Sequence, residues 1–137
     1  MPPGEAVVIM AYNNFWGRSI AALSSSSDPS CREGFGPYAP GFDLCEYGDE
    51  AALEAMLQKH AGKVAAVMLE PIQGEAGVVV PPDAYLPAVK AMCEAHGCLF
   101  VADEVQTGIG RTGKLLAAGG GAWVLGGRRE AVSDVAG

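Results

Sequence analysis

The sequence predicts an α/β domain built on a mostly parallel sheet with flanking helices. Three observations lead there. Val7 to Tyr12, Val64 to Leu69 and Cys98 to Ala102 are apolar runs, continuous rather than alternating in polarity. That pattern suits strands of a parallel sheet covered on both faces. Helical periodicity fills the intervals after Asp49 and after Asp83. Two of the apolar runs also end abruptly in a carboxylate followed by a Gly-containing loop, at Glu70 and at Asp103. Parallel sheets place their ligand sites there, outside the carboxyl ends of the strands.

Taken in order, Asn13-Asn14 breaks the first strand, and Arg18 to Leu23 forms a short helix. Ser24 to Asp43 is too rich in Ser, Pro and Gly for regular structure. So long a stretch in a compact domain is expected to be functional or to pack on a partner. Asp49 to His60 is a helix with Asp49 as N-cap and Ala52, Leu53, Met56 and Leu57 as its apolar stripe. Val64 to Leu69 follows as a strand. Asp83 to Ala95 is a second helix, burying Leu86, Val89, Met92 and Cys93 and leaving Lys90 solvated. Pro87 is tolerable only near the start of that helix. Gly97 is expected as its left-handed C-cap. With Cys98 to Ala102 the strand–helix–strand unit is complete, and its crossover is expected to be right-handed. From Ala117 the chain is Gly-rich and weakly structured in expectation, with Trp123-Val124-Leu125 its one candidate for burial.

The 137 residues are half hydrophobic, enough for one domain with a real core. A net charge of −7 argues against nucleic acid or an anionic membrane surface as partner. No apolar run approaches the roughly 20 residues that span a bilayer. The N-terminus carries Glu5 and does not read as a signal peptide, and the four cysteines form no CxxC pair. Reduced thiols in a soluble intracellular protein are expected. No His, Cys and Asp cluster has metal spacing, and there is neither a nucleophile elbow nor a P-loop.

The strand ends carry the chemistry. Glu70, Glu75, Asp103 and Gln106 are placed to meet in one crevice. A carboxylate such as Asp103 at the end of a buried strand needs a cationic or hydrogen-bonding partner. It is either a cap or a salt bridge to Arg111 or Arg18, or it holds the protonated nitrogen of a ligand. Glu70 has the same two readings, and Pro71 after it has no backbone N–H to offer. Glu75 reads alone as an exposed loop charge. Phe15-Trp16-Gly17-Arg18 sets aromatic faces beside a guanidinium, which suits core packing or recognition of a planar ligand and a carboxylate. His60 and His96 read as helix C-terminal caps.

Together these segments resemble the class III pyridoxal-phosphate aminotransferases. The likeness rests on Asn14-Phe15-Trp16-Gly17-Arg18, Ser24 to Pro29, Gly34 to Tyr38, Pro40 to Asp43, Glu70 to Val78, and Ala102 to Gly108 with Arg111-Thr112-Gly113. The Phe-Trp-Gly-Arg segment and the Ser-rich stretch are similar to the branch acting on ornithine; a branch acting on acetylornithine or 4-aminobutyrate, against which Trp16 weighs, and a non-catalytic truncated product are the alternatives. The resemblance implies that residues 1–116 are the central part of the large domain of a fold type I transferase, with pyridoxal 5'-phosphate as cofactor. Residues 117–137 depart from the pattern as a divergent tail.

By the same resemblance, Asp103 pairs with the pyridinium nitrogen, Phe15 stacks on the ring and Gln106 hydrogen-bonds its phenolic oxygen. Trp16, Arg18 and Glu75 serve the substrate, Arg18 by receiving a carboxylate and Glu75 by pairing with a distant arginine. Glu70 supports these groups from behind. Amino acids and 2-oxo acids are the implied substrates, and full-length family members form homo-oligomers. The implied location is the cytoplasm or the mitochondrial matrix. The family also uses a lysine linked covalently to the cofactor, and Lys59, Lys63, Lys90 and Lys114 all fall outside that lysine's place in the pattern. The upstream phosphate-holding glycine loop and the downstream arginine are not in this sequence. The chain by itself is therefore expected to be inactive.

Overall fold

The computed structural model describes residues 3–119 and 123–125. Its centre is a five-stranded sheet in the order β2-β1-β3-β4-β5, with every neighbouring pair parallel. The strands are β1 (Val7–Ala11), β2 (Phe42–Cys45), β3 (Val64–Leu69), β4 (Leu99–Asp103) and β5 (Trp123–Leu125). Two short helices, α1 (Ile20–Ser24) and α2 (Pro29–Arg32), lie between β1 and β2. The longer α3 (Glu50–Lys59) and α4 (Tyr85–His96) follow β2 and β3.

Local chemistry sets the helix boundaries. The Asp49 carboxylate accepts the Ala52 N–H at 2.9 Å and starts α3. Gly97 ends α4 in the left-handed region at φ 67°. Its N–H reaches the Glu94 carbonyl, and the Cys98 N–H reaches that of Cys93. This pair of bonds is a Schellman motif. Pro87 falls in the first turn of α4, where its missing N–H costs no helical bond. The helix begins at Tyr85 rather than Asp83, and Ala84 at its cap position makes no side-chain bond.

Side chains alternate across a strand, so one face of the sheet gathers Ile9, Ala11, Val67, Leu69, Phe100 and Ala102. Leu53 and Leu57 of α3 and Tyr85, Val89 and Cys93 of α4 complete this buried cluster. Leu86 and Met92 pack at its margin, partly buried. The opposite face carries Met10 and Met68, paired in register, and faces the segment after β1.

The stretch from Ser24 to Asp43 holds more regular structure than its composition suggests. Asp28 caps α2 through the Ser30 N–H at 2.8 Å, and Phe42 and Asp43 open β2. Pairing with β1 holds that strand. The tail contributes β5, whose backbone pairs with Val101, Ala102 and Asp103. The burial expected for Trp123, Val124 and Leu125, and the weakly structured character expected for the rest of the tail, lie outside the described residues.

Candidate functional site

The chain leaves β1 for β2 on one side and crosses back to β3 on the other, so the strand order reverses between β1 and β3. Open parallel sheets bind ligands at such a reversal, beyond the strand ends. A cleft of about 210 Å³ opens beside it, lined by Phe15, Trp16, Gly17, Glu70, Asp103, Val105 and Gln106. Beneath lies a void of about 10 Å³, walled by Met10, Ala11, Asn14, Met68 and Leu69 together with cleft residues.

Register explains why two carboxylates meet here. The ladder pairs Leu69 with Ala102, so Glu70 and Asp103 leave neighbouring strands at the same level. Asp103 is 6 % exposed, and its Oδ1 accepts the Val105 N–H at 3.1 Å. Among the described residues it has no ion pair, neither to Arg18 nor to Arg111. Burial pushes its carboxyl above the usual carboxylate range, against the Val105 N–H. Glu70 is 8 % exposed. Burial pushes it up to about 7; the Phe15 and Gly74 N–H groups oppose that rise, and the Asp103 and Glu75 charges add to it.

The loop after β1 is held by the residues around it. Asn14 Nδ2 donates to the Ala11 and Ser25 carbonyls, both at 2.8 Å. Trp16 Nε1 donates to the buried Ser25 Oγ at 2.7 Å, and its ring tilts against Phe42. Arg18 is exposed, with its guanidinium 5.6 Å from the centre of the Phe15 ring. From the other side, the buried Gln73 donates through Nε2 to the Tyr12 carbonyl at 2.8 Å. Tyr47 Oη donates to the carbonyls of Glu70 and Pro71 at 2.7 and 3.0 Å, fixing the chain as it leaves β3.

Of the residues singled out from sequence, Phe15, Trp16, Glu70, Asp103 and Gln106 share the cleft. Arg18 stands outside its lining, above Phe15. Glu75 is exposed on the turn closed by the Gln73 and Val79 pairing and does not line the cleft. Gly74 leaves room for the Gln106 carboxamide, which a Cβ there would strike. Sequence reasoning missed Asn14, Ser25, Tyr47 and Gln73. Asn14 and Gln73 had a usable signal, Asn14 as the neighbour of Phe15 and Gln73 as part of the segment that opens with the strand-end carboxylate Glu70. The four lysines lie elsewhere: Lys59 bonds Asp43, Lys63 bonds Glu5, Lys90 approaches Glu94, and Lys114 is exposed on a turn.

A dry cavity of roughly 150 Å³ accepts benzene, so the cleft admits one small aromatic ring. A flat face from Phe15, a buried carboxylate with no cation among the described residues and a carboxamide suit a flat, positively charged ring that carries a polar group.

Residues 2–121 match the family model described as aminotransferase class III. The chain belongs to the class III aminotransferases. It is 56 % identical over 117 residues to the mitochondrial ornithine aminotransferase of Drosophila melanogaster, covering 85 % of the chain and 27 % of that protein. An ornithine aminotransferase structure from Toxoplasma gondii, described with partial occupancy of PLP at its active site, superposes with a TM-score of 0.83 at 49 % identity. That match covers 86 % of the chain and 27 % of the structure. An acetylornithine aminotransferase structure from Elizabethkingia anophelis gives 0.62 at 42 % identity, over 82 % of the chain and 23 % of that structure. The chain thus spans about a quarter of the length of the relatives it matches.

The likeness to ornithine aminotransferase structures places the sheet as part of the α/β fold of these pyridoxal-phosphate-dependent enzymes, as the sequence implied. No described helix is long and apolar enough to cross a membrane. All four cysteines are free, and no described group of His, Cys, Asp and Glu has the geometry to hold a metal.

Proposed function

We propose that this chain forms the ring-holding part of an ornithine-type aminotransferase that uses pyridoxal 5'-phosphate. The reaction of the whole enzyme moves the terminal amino group of ornithine to 2-oxoglutarate, giving glutamate semialdehyde and glutamate. The observation that supports this most is Asp103, a buried carboxylate with no cationic partner among the described residues, at the end of a central strand and on the wall of a ring-sized cleft. When bound, the cofactor supplies an electron sink for charge developing at the reacting carbon. Asp103 keeps that sink effective by holding a proton on the ring nitrogen. Phe15 covers the ring face, Gln106 donates to the phenolic oxygen, and Glu70 supports the floor.

Trp16 and Arg18 face arriving substrate, Arg18 receiving its carboxylate. Glu75 stands ready for a cationic partner outside this chain. The Phe15-Trp16-Gly17-Arg18 segment favours ornithine over acetylornithine as amino donor. The complete enzyme is read as a homo-oligomer in the cytoplasm or mitochondrial matrix. Alone, the 137-residue chain is non-catalytic, because no lysine stands at the cleft to form the covalent link or move a proton.

Pyridoxamine 5'-phosphate carries the ring without the aldehyde that reacts with surface lysines, which makes it the right probe. Saturable binding that weakens in Asp103→Ala is expected, with no turnover of ornithine and 2-oxoglutarate above the free-cofactor background. No saturable binding in the millimolar range would overturn the cofactor reading. Turnover by the chain alone would overturn its incompetence.

A further inference from the structure

Glu104 follows Asp103 and is buried, 4 % exposed, yet it does not line the cleft. Both of its carboxylate oxygens are engaged. Oε2 accepts the Thr107 hydroxyl and Oε1 accepts the Ala118 N–H at 2.7 Å. Its own carbonyl accepts the Gly108 N–H at 2.8 Å. Gly108 sits so close that a Cβ there would come within 2.9 Å of that carbonyl oxygen, so the turn passes only as glycine. Ile109 N–H bonds the Leu115 carbonyl at 2.7 Å and closes the loop at its waist. One side chain thus ties the start of the loop after β4 to its end, fourteen residues on. Gln106 lies between Glu104 and Thr107, at the mouth of the cleft and against Gly74.

We propose that Glu104 is a positioning residue that holds Gln106 at the cleft by clamping the loop from Val105 to Ala118. A carboxylate suits the task because it accepts at both oxygens, and the two donors offered are a hydroxyl and a backbone N–H. Burial of the charge is offset by those two bonds. Among the cleft side chains named as ring partners the clamp acts mainly on Gln106, since Phe15 belongs to a different loop and Asp103 to the strand, meeting the clamped loop only through the Val105 N–H at its first residue. Its loss is therefore selective for the ligand atom that Gln106 meets.

The test has two arms. In the ligand-free chain, nuclear magnetic resonance of Glu104→Ala is expected to lose the contact between the Gln106 carboxamide and Gly74 and the slow exchange of the Ile109 amide. Amides of β1 and β3 should stay protected. Glu104→Gln, which still accepts from Ala118 and can donate to Thr107, should restore both signals. If Glu104→Ala keeps the Gln106–Gly74 contact, the proposal falls whether or not any ligand binds.

The second arm rests on the cofactor reading above. Glu104→Ala is expected to weaken pyridoxamine 5'-phosphate about tenfold, the scale of one hydrogen bond, and to leave its 3-deoxy analogue within about twofold. In Gln106→Ala the further change Glu104→Ala should have no added effect, because the two act as one unit. Equal weakening of both ligands would reduce Glu104 to general support of the fold and overturn the proposal. Failure of the unaltered chain to bind either ligand would instead sink the cofactor reading and leave the first arm to decide.

Discussion

The Glu70 carboxylate accepts the backbone N–H of Phe15 at 3.3 Å, joining the end of β3 to the loop that follows β1 across 55 residues of sequence. That bond holds Phe15 beside Asp103 and favours the charged form of Glu70, but burial outweighs it and the setting as a whole favours the neutral carboxyl. Burial comes first among the causes, and its carboxyl rises from 4.5 to about 7. A raised carboxyl means that the folded chain binds the proton more tightly than the unfolded one. The stabilisation is complete below about 4.5 and is lost as pH rises towards about 7. Its ceiling is roughly 3 kcal/mol. Glu70→Gln keeps an acceptor for Phe15 and cannot ionise. Urea unfolding across that window should show the variant gaining on the unaltered chain as pH rises, with no gain at the acid end. Parallel curves at all pH values would show that Glu70 ionises without cost.

Tyr47 and Tyr85 meet edge to face, 5.7 Å between ring centres, and are expected to respond in opposite ways to loss of the hydroxyl. Tyr47 Oη serves the Glu70 and Pro71 carbonyls. Tyr85 Oη is the one buried side-chain polar atom among the described residues without a hydrogen-bond partner. Removing a partnered hydroxyl leaves its acceptors short and costs about 1–2 kcal/mol, whereas removing an orphaned one is neutral or stabilising. Denaturant midpoints should therefore fall in Tyr47→Phe and hold or rise in Tyr85→Phe. A loss in Tyr85→Phe as large as that in Tyr47→Phe would mean that its hydroxyl has a partner in solution.

What the sequence discloses depends on how local the cause is. The N-cap at Asp49, the C-cap at Gly97 and the three continuous apolar runs are legible because each is written within a few neighbouring residues. β2 is not. Phe42-Asp43-Leu44-Cys45 is short, carries a charge mid-strand and follows a Pro- and Gly-rich stretch, and its extended state comes from pairing with β1. The buried Ser25 under Trp16 is hidden for the same reason, since nothing local separates it from its neighbouring serines. Glu70, Asp103 and Gln106 were legible as one site because parallel strands in register end at one level. Glu75 departs from that crevice because the turn between Gln73 and Val79 leaves it in solvent.

Gly97 offers a measurement of backbone conformation with no packing change. Its φ of 67° is strained for any residue with a Cβ, yet a Cβ there would meet nothing within 4 Å. Gly97→Ala is expected to cost about 1 kcal/mol, and Gly97→Asn less, since asparagine tolerates the left-handed region. Thermal unfolding of the pair would check this. Equal stability of the alanine variant and the unaltered chain would show that α4 ends by another geometry.

Asp103 sets stability against binding. Burial raises its carboxyl, so the free folded chain carries a cost at neutral pH that is absent below its ordinary value of 3.8 and appears as pH climbs through its raised one. Asp103→Asn removes the charge and keeps an oxygen for the Val105 N–H. The free variant should melt a few degrees higher than the unaltered chain at neutral pH, a shift that shrinks in acid. Its affinity for pyridoxamine 5'-phosphate should fall by on the order of 100-fold, because a protonated ring nitrogen then meets no buried negative charge. Calorimetry with and without the ligand measures both quantities on the same samples. A variant that is less stable and yet binds unchanged would show that Asp103 serves the fold rather than the ring.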